Sequence, residues 1–205
     1  MLTSLMIIDD FLANPHEFRE AALKLNYPYL DKPTYFPGRN SEKRVRLEGL
    51  DEVVGRIVGE KLTPTPGTSH GKFRTALEGD EGDGDIHIDE SHWSGILYLN
   101  LPEQCRGGTE FFRHIPTNSE RAPINTEEMR AMGFSSPQEL WDRLIKAHSK
   151  DRSKWERVMT VPMRFNRLIL LKPWLWHTAG PGFGDSLETG RLVYLLFWNV
   201  ERAIR

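Results

Sequence analysis

The sequence has little of what marks a secreted, membrane-bound or nucleic-acid-binding protein. A single cysteine, Cys105, among 205 residues excludes an intrachain disulfide and fits a reducing compartment. No apolar run is long enough to span a bilayer. The opening stretch MLTSLMIIDDFL lacks a basic segment, and Asp9 and Asp10 interrupt its apolar residues, so it makes a poor signal peptide. We therefore expect a cytoplasmic protein with no membrane partner.

The charge is also close to balanced. With 27 basic and 29 acidic residues, the net charge of -2 gives no overall attraction to nucleic acid, and we expect no nucleic-acid partner. A basic cluster at Arg39, Lys43, Arg44 and Arg46 fits either a solvated face or a contact for an anionic partner. The length and the 39% hydrophobic fraction fit one domain over residues 1–205. No pattern indicates an oligomeric state.

Hydrophobic spacing predicts helices in the first third of the chain and strands in most of the rest. A strand at 5–8 precedes a helix that starts after Asn14, with Pro15 in its first turn. A second helix is predicted over 50–61, after a loop at 27–40. Its inward residues are expected to be Leu50, Val53, Val54, Ile57 and Val58. Strands are predicted at 72–77, 85–89, 95–101, 109–113, 167–172 and 191–200.

This arrangement favours a mainly β fold with flanking helices, in which an antiparallel double-sheet barrel forms the core. Residues 1–70 would supply helical support and residues 71–200 the barrel. A helical insertion at about 118–157 interrupts the strands. Ser136 and Glu139 form a capping box at its main helix, whose apolar residues are Leu140, Trp141, Leu144 and Ile145. The insertion is expected to be either a lid over a site or a structural wall.

The tripeptide His87-Ile88-Asp89 is the sharpest local feature. Alternate residues of a strand point to the same face, so the imidazole and the carboxylate can converge on one ion. A second histidine would complete a set of two histidines and one carboxylate, which leaves open metal positions and is typical of Fe(II) oxygenases. By itself the tripeptide is weak, because such short motifs are frequent on exposed strands.

His177 is the candidate third ligand. It follows the apolar run 168–171 and precedes a glycine-rich turn, where a barrel would present a ligand at its mouth. Alternatively, it is a structural histidine packed among Trp174 and Trp176. His114, at the end of another predicted strand, competes for the same position. Zinc hydrolysis with the same ligands also stays open, although no separate general base can be singled out.

Arg191 is the candidate anion-binding residue. It opens the apolar run RLVYLLFWNV, 14 positions after His177. A charge at the start of a buried strand needs a partner, and a carboxylate can bridge two guanidinium nitrogens. The partner is either an internal acidic residue such as Asp185 or Glu188, or the carboxylate of a bound ligand.

Four motifs occur in a fixed order. They are His87-x-Asp89, then YLN (98–100) with GGTEF (107–111), then NRLILLKP leading to His177, and finally Arg191. In this order they resemble the 2-oxoglutarate/Fe(II)-dependent oxygenases, particularly the prolyl-hydroxylase-like branch, over residues 71–200. The opening DDF with Pro15 and Arg19, and the stretch IHID…GILYLN…GGTEFFRH, more closely resemble bacterial members of unassigned function.

The resemblance implies a double-stranded β-helix of the jelly-roll or cupin-like type. It implies that His87, Asp89 and His177 bind Fe(II), and that Arg191 binds the co-substrate 2-oxoglutarate with Tyr98 as a second anchor. The implied reaction uses dioxygen to oxidise a C–H bond of a small molecule or peptide and converts 2-oxoglutarate to succinate and carbon dioxide. Two alternatives remain, a non-catalytic jelly roll that binds a metal or ligand and a metal enzyme that does not use 2-oxoglutarate.

Overall fold

The protein is described by a computed structural model over residues 3–29 and 35–201, so residues 30–34 of the predicted loop lie outside the described residues. The strands are β1 (Leu5–Ile8), β2 (Arg39–Asn40), β3 (Leu62–Pro64), β4 (Lys72–Ala76), β5 (Trp93–Tyr98), β6 (Gly108–His114), β7 (Trp155–Pro162), β8 (Leu168–Leu171), β9 (His177–Thr178) and β10 (Arg191–Val200). The helices are α1 (Pro15–Leu23), α2 (Leu50–Val58), α3 (Thr126–Ala131) and α4 (Pro137–Leu140). A π-helical turn at Trp141–Lys146 continues α4, and short 3₁₀ turns lie at Pro102–Gln104 and Arg152–Lys154. None of the described helices is long and apolar enough to cross a membrane.

The strands form two antiparallel sheets, so the predicted mainly β, antiparallel character is confirmed. The larger sheet has the order β1-β8-β5-β10-β4-β2, and β3 pairs with the end of β10. The smaller sheet has the order β7-β6-β9. Strand β10 is central to the larger sheet because it pairs with β3, β4 and β5. It is buried on both faces, which explains why its sequence is almost continuously apolar.

The two faces of β10 belong to two different cores. Leu192, Tyr194, Leu196 and Trp198 pack against the N-terminal helices α1 and α2. Val193 and Leu195 point the other way and pack with residues of the smaller sheet. Because Arg191 has the same parity as Val193 and Leu195, it too faces the space between the sheets. This alternation decides which side chains of β10 can reach a site there.

The segment between β6 and β7 covers the outer face of the smaller sheet. Leu140, Leu144 and Ile145 are buried there against Phe112 and Trp176. The predicted cap is present on one side, since the Ser136 side chain accepts a hydrogen bond from the Glu139 backbone N–H. The Glu139 carboxylate instead accepts from Ser135. Leu140, Leu144 and Ile145 therefore pack as a structural wall of the barrel, whereas Trp141 is 40% exposed.

Several predicted elements differ from the structure. Helix α2 ends before Gly59, whose φ of 73° is left-handed, and not at Lys61. Val53 and Ile57 were expected to face inward but are each 37% exposed, because only the row formed by every fourth residue of α2 faces the sheet. Strands β7 and β9 were not predicted, and β7 begins within the predicted insertion at Trp155.

Candidate metal centre

Three side chains from two distant segments meet between the sheets. His87 and Asp89 lie in the connection between β4 and β5, and His177 begins β9. The backbones of His87 and His177 exchange two hydrogen bonds of 3.0 and 3.1 Å, and their ring centroids are 4.4 Å apart. The predicted strand at 85–89 is therefore reduced to one bridge, at His87. The extended pairing at this point is still enough to direct both imidazoles to one side.

The geometry of the three side chains fits a single ion. The Nε2 atoms of His87 and His177 lie 3.6 and 3.4 Å from the Asp89 carboxylate oxygens. One potential ligand atom from each residue lies within 4.8 Å of the other two. Over residues 3–29 and 35–201, this is the one group of three or more His, Cys, Asp or Glu side chains with such geometry.

Both imidazoles are oriented by backbone carbonyl groups. His87 Nδ1 lies 2.7 Å from the Asp85 carbonyl oxygen, and His177 Nδ1 lies 2.8 Å from that of Leu175. A carbonyl can only accept, so Nδ1 carries the hydrogen in each ring. In the neutral imidazole, Nε2 then keeps its lone pair for a metal, which is the usual arrangement behind metal-binding histidines.

The carboxylate is held from the opposite side. Ser94 Oγ of β5 donates a 2.6 Å hydrogen bond to Asp89 Oδ2. Burial would raise the pKa of Asp89, but the neighbouring imidazoles outweigh it and hold this pKa well below its usual range. Burial, together with the charge of His177, lowers the pKa of His87. An ionised carboxylate and a neutral imidazole are the protonation states that bind divalent metals.

His177 behaves differently in the absence of a metal. Burial lowers its pKa, but the Asp89 carboxylate has the larger effect, so the pKa of His177 is raised. The proton of this imidazolium would occupy the place between His177 and Asp89 that a cation can take. Metal binding is therefore expected to release a proton.

The insertion supports the segment that carries His87. The Ser149 hydroxyl accepts from the Asp85 N–H (2.8 Å) and donates to the Ile86 carbonyl (2.9 Å). The Asp85 carboxylate in turn accepts from Thr178 and pairs with Arg152 at 2.8 Å. These contacts fix the backbone on which the His87 ring depends, and no sequence pattern marks Ser149.

The competing histidine lies elsewhere. His114 Nε2 is 2.9 Å from His148 Nδ1, and His114 Nδ1 is 2.8 Å from Thr117 Oγ1. Burial, followed by the charge of His148, lowers the pKa of His114 to about 4. Both ring nitrogens of His114 are thus engaged away from His87, and the alternative of His114 as third ligand is not supported.

A cavity of about 380 Å³ opens beside the three side chains, with mainly apolar walls. One wall consists of Tyr35 and Phe36, which precede β2, and Trp141 of the insertion. The Phe36 ring centroid is 4.4 Å from that of His87, and those of Tyr35 and Trp141 are 6.2 Å apart. Gly84 permits this wall, because a Cβ there would lie 2.2 Å from the Tyr35 ring. No sequence pattern marks Tyr35 and Phe36, since they lie in a proline-containing loop with no periodicity.

Arg191 faces the same cavity from the larger sheet. It is 3% exposed, and its Nε and Nη2 have no hydrogen-bond partner within the described part of the chain. Burial lowers the pKa of Arg191. Asp185, one of the expected internal partners, instead accepts a hydrogen bond from Thr189. Arg191 is thus a buried cation whose donors are incompletely used.

Two neighbours hold Arg191 in place. Its guanidinium carbon lies 5.8 Å from the centroid of the Tyr98 ring. The Tyr98 hydroxyl is 2.6 Å from Thr109 Oγ1, and Tyr98 does not itself line the cavity. Asn100 donates to the Gly190 carbonyl and accepts from the Leu192 N–H, which fixes the backbone on both sides of Arg191. The YLN motif therefore fixes the position of Arg191 without itself lining the cavity.

A second arginine of the cavity was missed by the sequence analysis. Arg74 of β4 lines the cavity, and its Nε donates a 2.8 Å hydrogen bond to Asn40 Oδ1. Burial, followed by the charge of Arg191, lowers the pKa of Arg74 to about 10. The alternation of Lys72, Phe73 and Arg74 was the available signal, because it places Arg74 opposite the core face of the strand.

Comparisons with known proteins agree with this architecture. Residues 83–197 match DUF6445, a family of unknown function. The match spans more than half of the chain, which therefore belongs to this family. No curated protein matches the sequence.

Solved structures of similar fold include the non-heme alpha ketoglutarate dependent carbocyclase SnoK from nogalamycin biosynthesis. The TM-score is 0.51 at 13% sequence identity, over 95% of this chain and 79% of SnoK. HygX from Streptomyces hygroscopicus, solved with iron bound, gives a TM-score of 0.41 at 13% identity, over 96% of this chain and 82% of HygX. At this identity the SnoK comparison shows a shared fold.

Proposed function

We propose that the protein is a 2-oxoglutarate- and Fe(II)-dependent oxygenase with a double-stranded β-helix core. It oxidises a C–H bond of a small-molecule or peptide substrate in a reducing compartment such as the cytoplasm. One observation carries the proposal. A cluster of two histidines and one carboxylate shares a cavity with Arg191, a buried guanidinium that lacks partners for two of its nitrogens among the described residues.

The donor set fits iron. Two imidazole nitrogens and one carboxylate oxygen leave the remaining positions of an octahedral ion open to ligands. His87, Asp89 and His177 would hold the metal, and the cavity beside them leaves room for two further molecules. Zinc can bind the same side chains, but a set of two histidines and one carboxylate with open positions is the one typical of Fe(II) oxygenases.

Arg191 supplies the reason to favour 2-oxoglutarate. An unpaired guanidinium in a buried site is costly, and a carboxylate held by two parallel hydrogen bonds removes that cost. The distal carboxylate of 2-oxoglutarate is such a partner when its other end chelates the metal. In this proposal Arg191 binds the co-substrate, and Tyr98 and Asn100 position Arg191.

The remaining walls orient the substrate and exclude water. Dioxygen would supply the oxidising equivalents, and bound iron with 2-oxoglutarate would activate it, so that a substrate C–H bond becomes C–OH while 2-oxoglutarate becomes succinate and carbon dioxide. Tyr35, Phe36 and Trp141 form an apolar wall next to the His87 ring. Such a wall limits the access of water to the metal and gives an organic substrate a surface to pack against.

Calorimetry under anaerobic conditions tests the proposal. The protein loaded with Fe(II) should bind 2-oxoglutarate, and the metal-free protein should bind it much more weakly. Arg191→Met should weaken 2-oxoglutarate binding by about 100-fold, because two charge-assisted hydrogen bonds are lost. Its affinity for Fe(II) should stay within about threefold of wild type, since Arg191 lies apart from the ligand cluster.

Arg164→Met is the matched control, because Arg164 pairs with Asp9 outside the cavity. It should leave 2-oxoglutarate affinity unchanged. Succinate release over a panel of amino acids, peptides and metabolites would then identify the substrate. Equal 2-oxoglutarate affinity in wild type and Arg191→Met would contradict the proposal and leave a metal-binding jelly roll.

A further inference from the structure

Building on the proposed function, we infer that the substrate is an anion and that Arg74 binds its carboxylate or phosphate group. In this arrangement the apolar body of the substrate lies against Tyr35, Phe36 and Trp141, close to the metal. Arg74 would thereby determine specificity, whereas Arg191 serves the co-substrate.

The strand register separates the two arginines. Arg191 of β10 pairs with Ala76 of β4, and Arg74 pairs with Val193. Directly paired residues share a face, so Arg74 lies on the cavity face about 7 Å along the strand from the residue opposite Arg191. The two arginines therefore occupy neighbouring backbone positions on the same face of the sheet.

The contacts of their side chains separate them further. Strand β4 lies between β10 and β2, and the Nε of Arg74 donates to Asn40 of β2, on the side away from β10. The guanidinium carbon of Arg74 also lies 5.1 Å from the centroid of the Phe36 ring. Arg191 instead lies over Tyr98. Arg74 is thus directed toward the aromatic wall, and its terminal nitrogens have no hydrogen-bond partner within residues 3–29 and 35–201.

The loaded cavity still leaves Arg74 without an acidic partner. Arg74, Arg191 and a divalent metal contribute four positive charges, and Asp89, 2-oxoglutarate and the exposed Glu90 contribute four negative ones. No described acidic side chain forms an ion pair with Arg74, whose hydrogen-bond partner is the neutral Asn40. An anionic substrate group would accept hydrogen bonds from the Arg74 nitrogens that have no partner among the described residues, in the planar geometry that suits a carboxylate or phosphate.

The test uses benzoate and phenyl phosphate as probes, with benzamide as the neutral control of the same shape. Each is titrated into the full chain with Fe(II) and saturating 2-oxoglutarate, without oxygen, so that Arg191 is occupied. Wild type should bind one of the two anions at least about tenfold more tightly than benzamide. The better probe shows whether the group is a carboxylate or a phosphate.

Arg74→Met should remove the preference for the anion, and Arg74→Lys should restore part of it, because lysine keeps the charge but loses the fork. Lys72→Met is the control, since Lys72 has the same parity on β4 but does not line the cavity. It should retain the preference. Circular dichroism and the melting temperature verify that each variant is folded.

Two results would overturn the inference. One is equal or undetectable binding of the anions and benzamide to wild type. The other is a loss of 2-oxoglutarate affinity in Arg74→Met as large as in Arg191→Met, which would assign both arginines to the co-substrate. If 2-oxoglutarate fails to bind wild type but Arg74 still decides anion preference with metal alone, the proposed function fails and the anion site stands.

Discussion

The two halves of the cavity differ in how completely the protein satisfies its own polar groups. In the metal half, the nitrogen of each imidazole that faces away from the cluster has a carbonyl partner, and Asp89 accepts from Ser94. In the cation half, Arg191 keeps two nitrogens without partners among the described residues, and Arg74 is held by one neutral amide. The first half is organised before any ligand arrives, whereas the second is completed by one.

Arginines at another edge of the barrel show that this difference is not a general property of the chain. Arg164 and Arg167 both pair with Asp9, at 2.8 and 2.6 Å. At this edge the chain itself provides the carboxylate for both arginines. In the cavity, Arg191 and Arg74 form no ion pair within the described residues, which fits a carboxylate supplied by a ligand.

The largest expected effect comes from breaking the metal half. His177→Ala removes one of three ligands, so Fe(II) affinity should fall by at least about 100-fold. Binding of 2-oxoglutarate should be lost with it, because the co-substrate needs the metal as its second attachment. His114→Ala, which removes a histidine engaged with His148, should leave Fe(II) affinity unchanged in the same titration. The reverse result would show that the ligand set is wrong.

A smaller effect should distinguish the metal half of the cavity from its cation half. Ser149→Ala removes the two hydrogen bonds of the Ser149 hydroxyl to the backbone of Asp85 and Ile86, and keeps the backbone hydrogen bond from the Ile86 N–H to the Ser149 carbonyl. We expect Fe(II) affinity to fall by about tenfold, as for other residues that orient metal ligands. The affinity for 2-oxoglutarate at saturating Fe(II) should stay within about threefold of wild type, because Arg191 is held by other residues. Ser153→Ala is the control, since that serine bonds to Asp151. Equal Fe(II) affinity in both variants would argue against a supporting role for the insertion.

The smallest effect concerns the paired arginines. The hydrogen bond from Arg167 is the main cause that holds the pKa of Asp9 below its usual value. A depressed carboxyl pKa stabilises the fold above the unfolded pKa, and this contribution disappears as the pH falls through the folded value. Asp9→Asn should therefore lower stability at pH 7 by less than about 1 kcal/mol, because the pair reaches solvent. Thermal melts should show the difference between variant and wild type vanishing once the pH lies below the depressed pKa of Asp9. A difference that persisted there would have to come from something other than the charge of Asp9.

Much of the sheet could be predicted because burial on both faces produces apolar runs, as in β8 and β10. The metal cluster was also accessible, since His87 and Asp89 are close in sequence and His177 follows an apolar strand. The side chains that depend on tertiary contacts were not. Tyr35 acts through its position over Gly84, and Ser149 through one hydroxyl placed between two backbone groups. Neither contact leaves a periodic pattern.

Strand β7 was not predicted for a related reason. The residues from Glu156 to Thr160, which make up most of the strand, are exposed, so β7 lacks the apolar run that marked β8. Arg74 was overlooked because its strand is short and mixed, although its alternation with Phe73 was visible. Sequence patterns indicate well which residues are buried, but they do not indicate which partner a single polar side chain will contact.

The aromatic wall has a consequence for attempts to change what the protein accepts. Tyr35 and Trp141 reach the cavity from two segments that carry none of the proposed metal ligands. Libraries confined to these two positions can therefore reshape the pocket without altering the residues on which chemistry depends. Exchange of the whole insertion between relatives is a poorer route, because a donor segment would have to return a hydroxyl to position 149 and a cation to position 152.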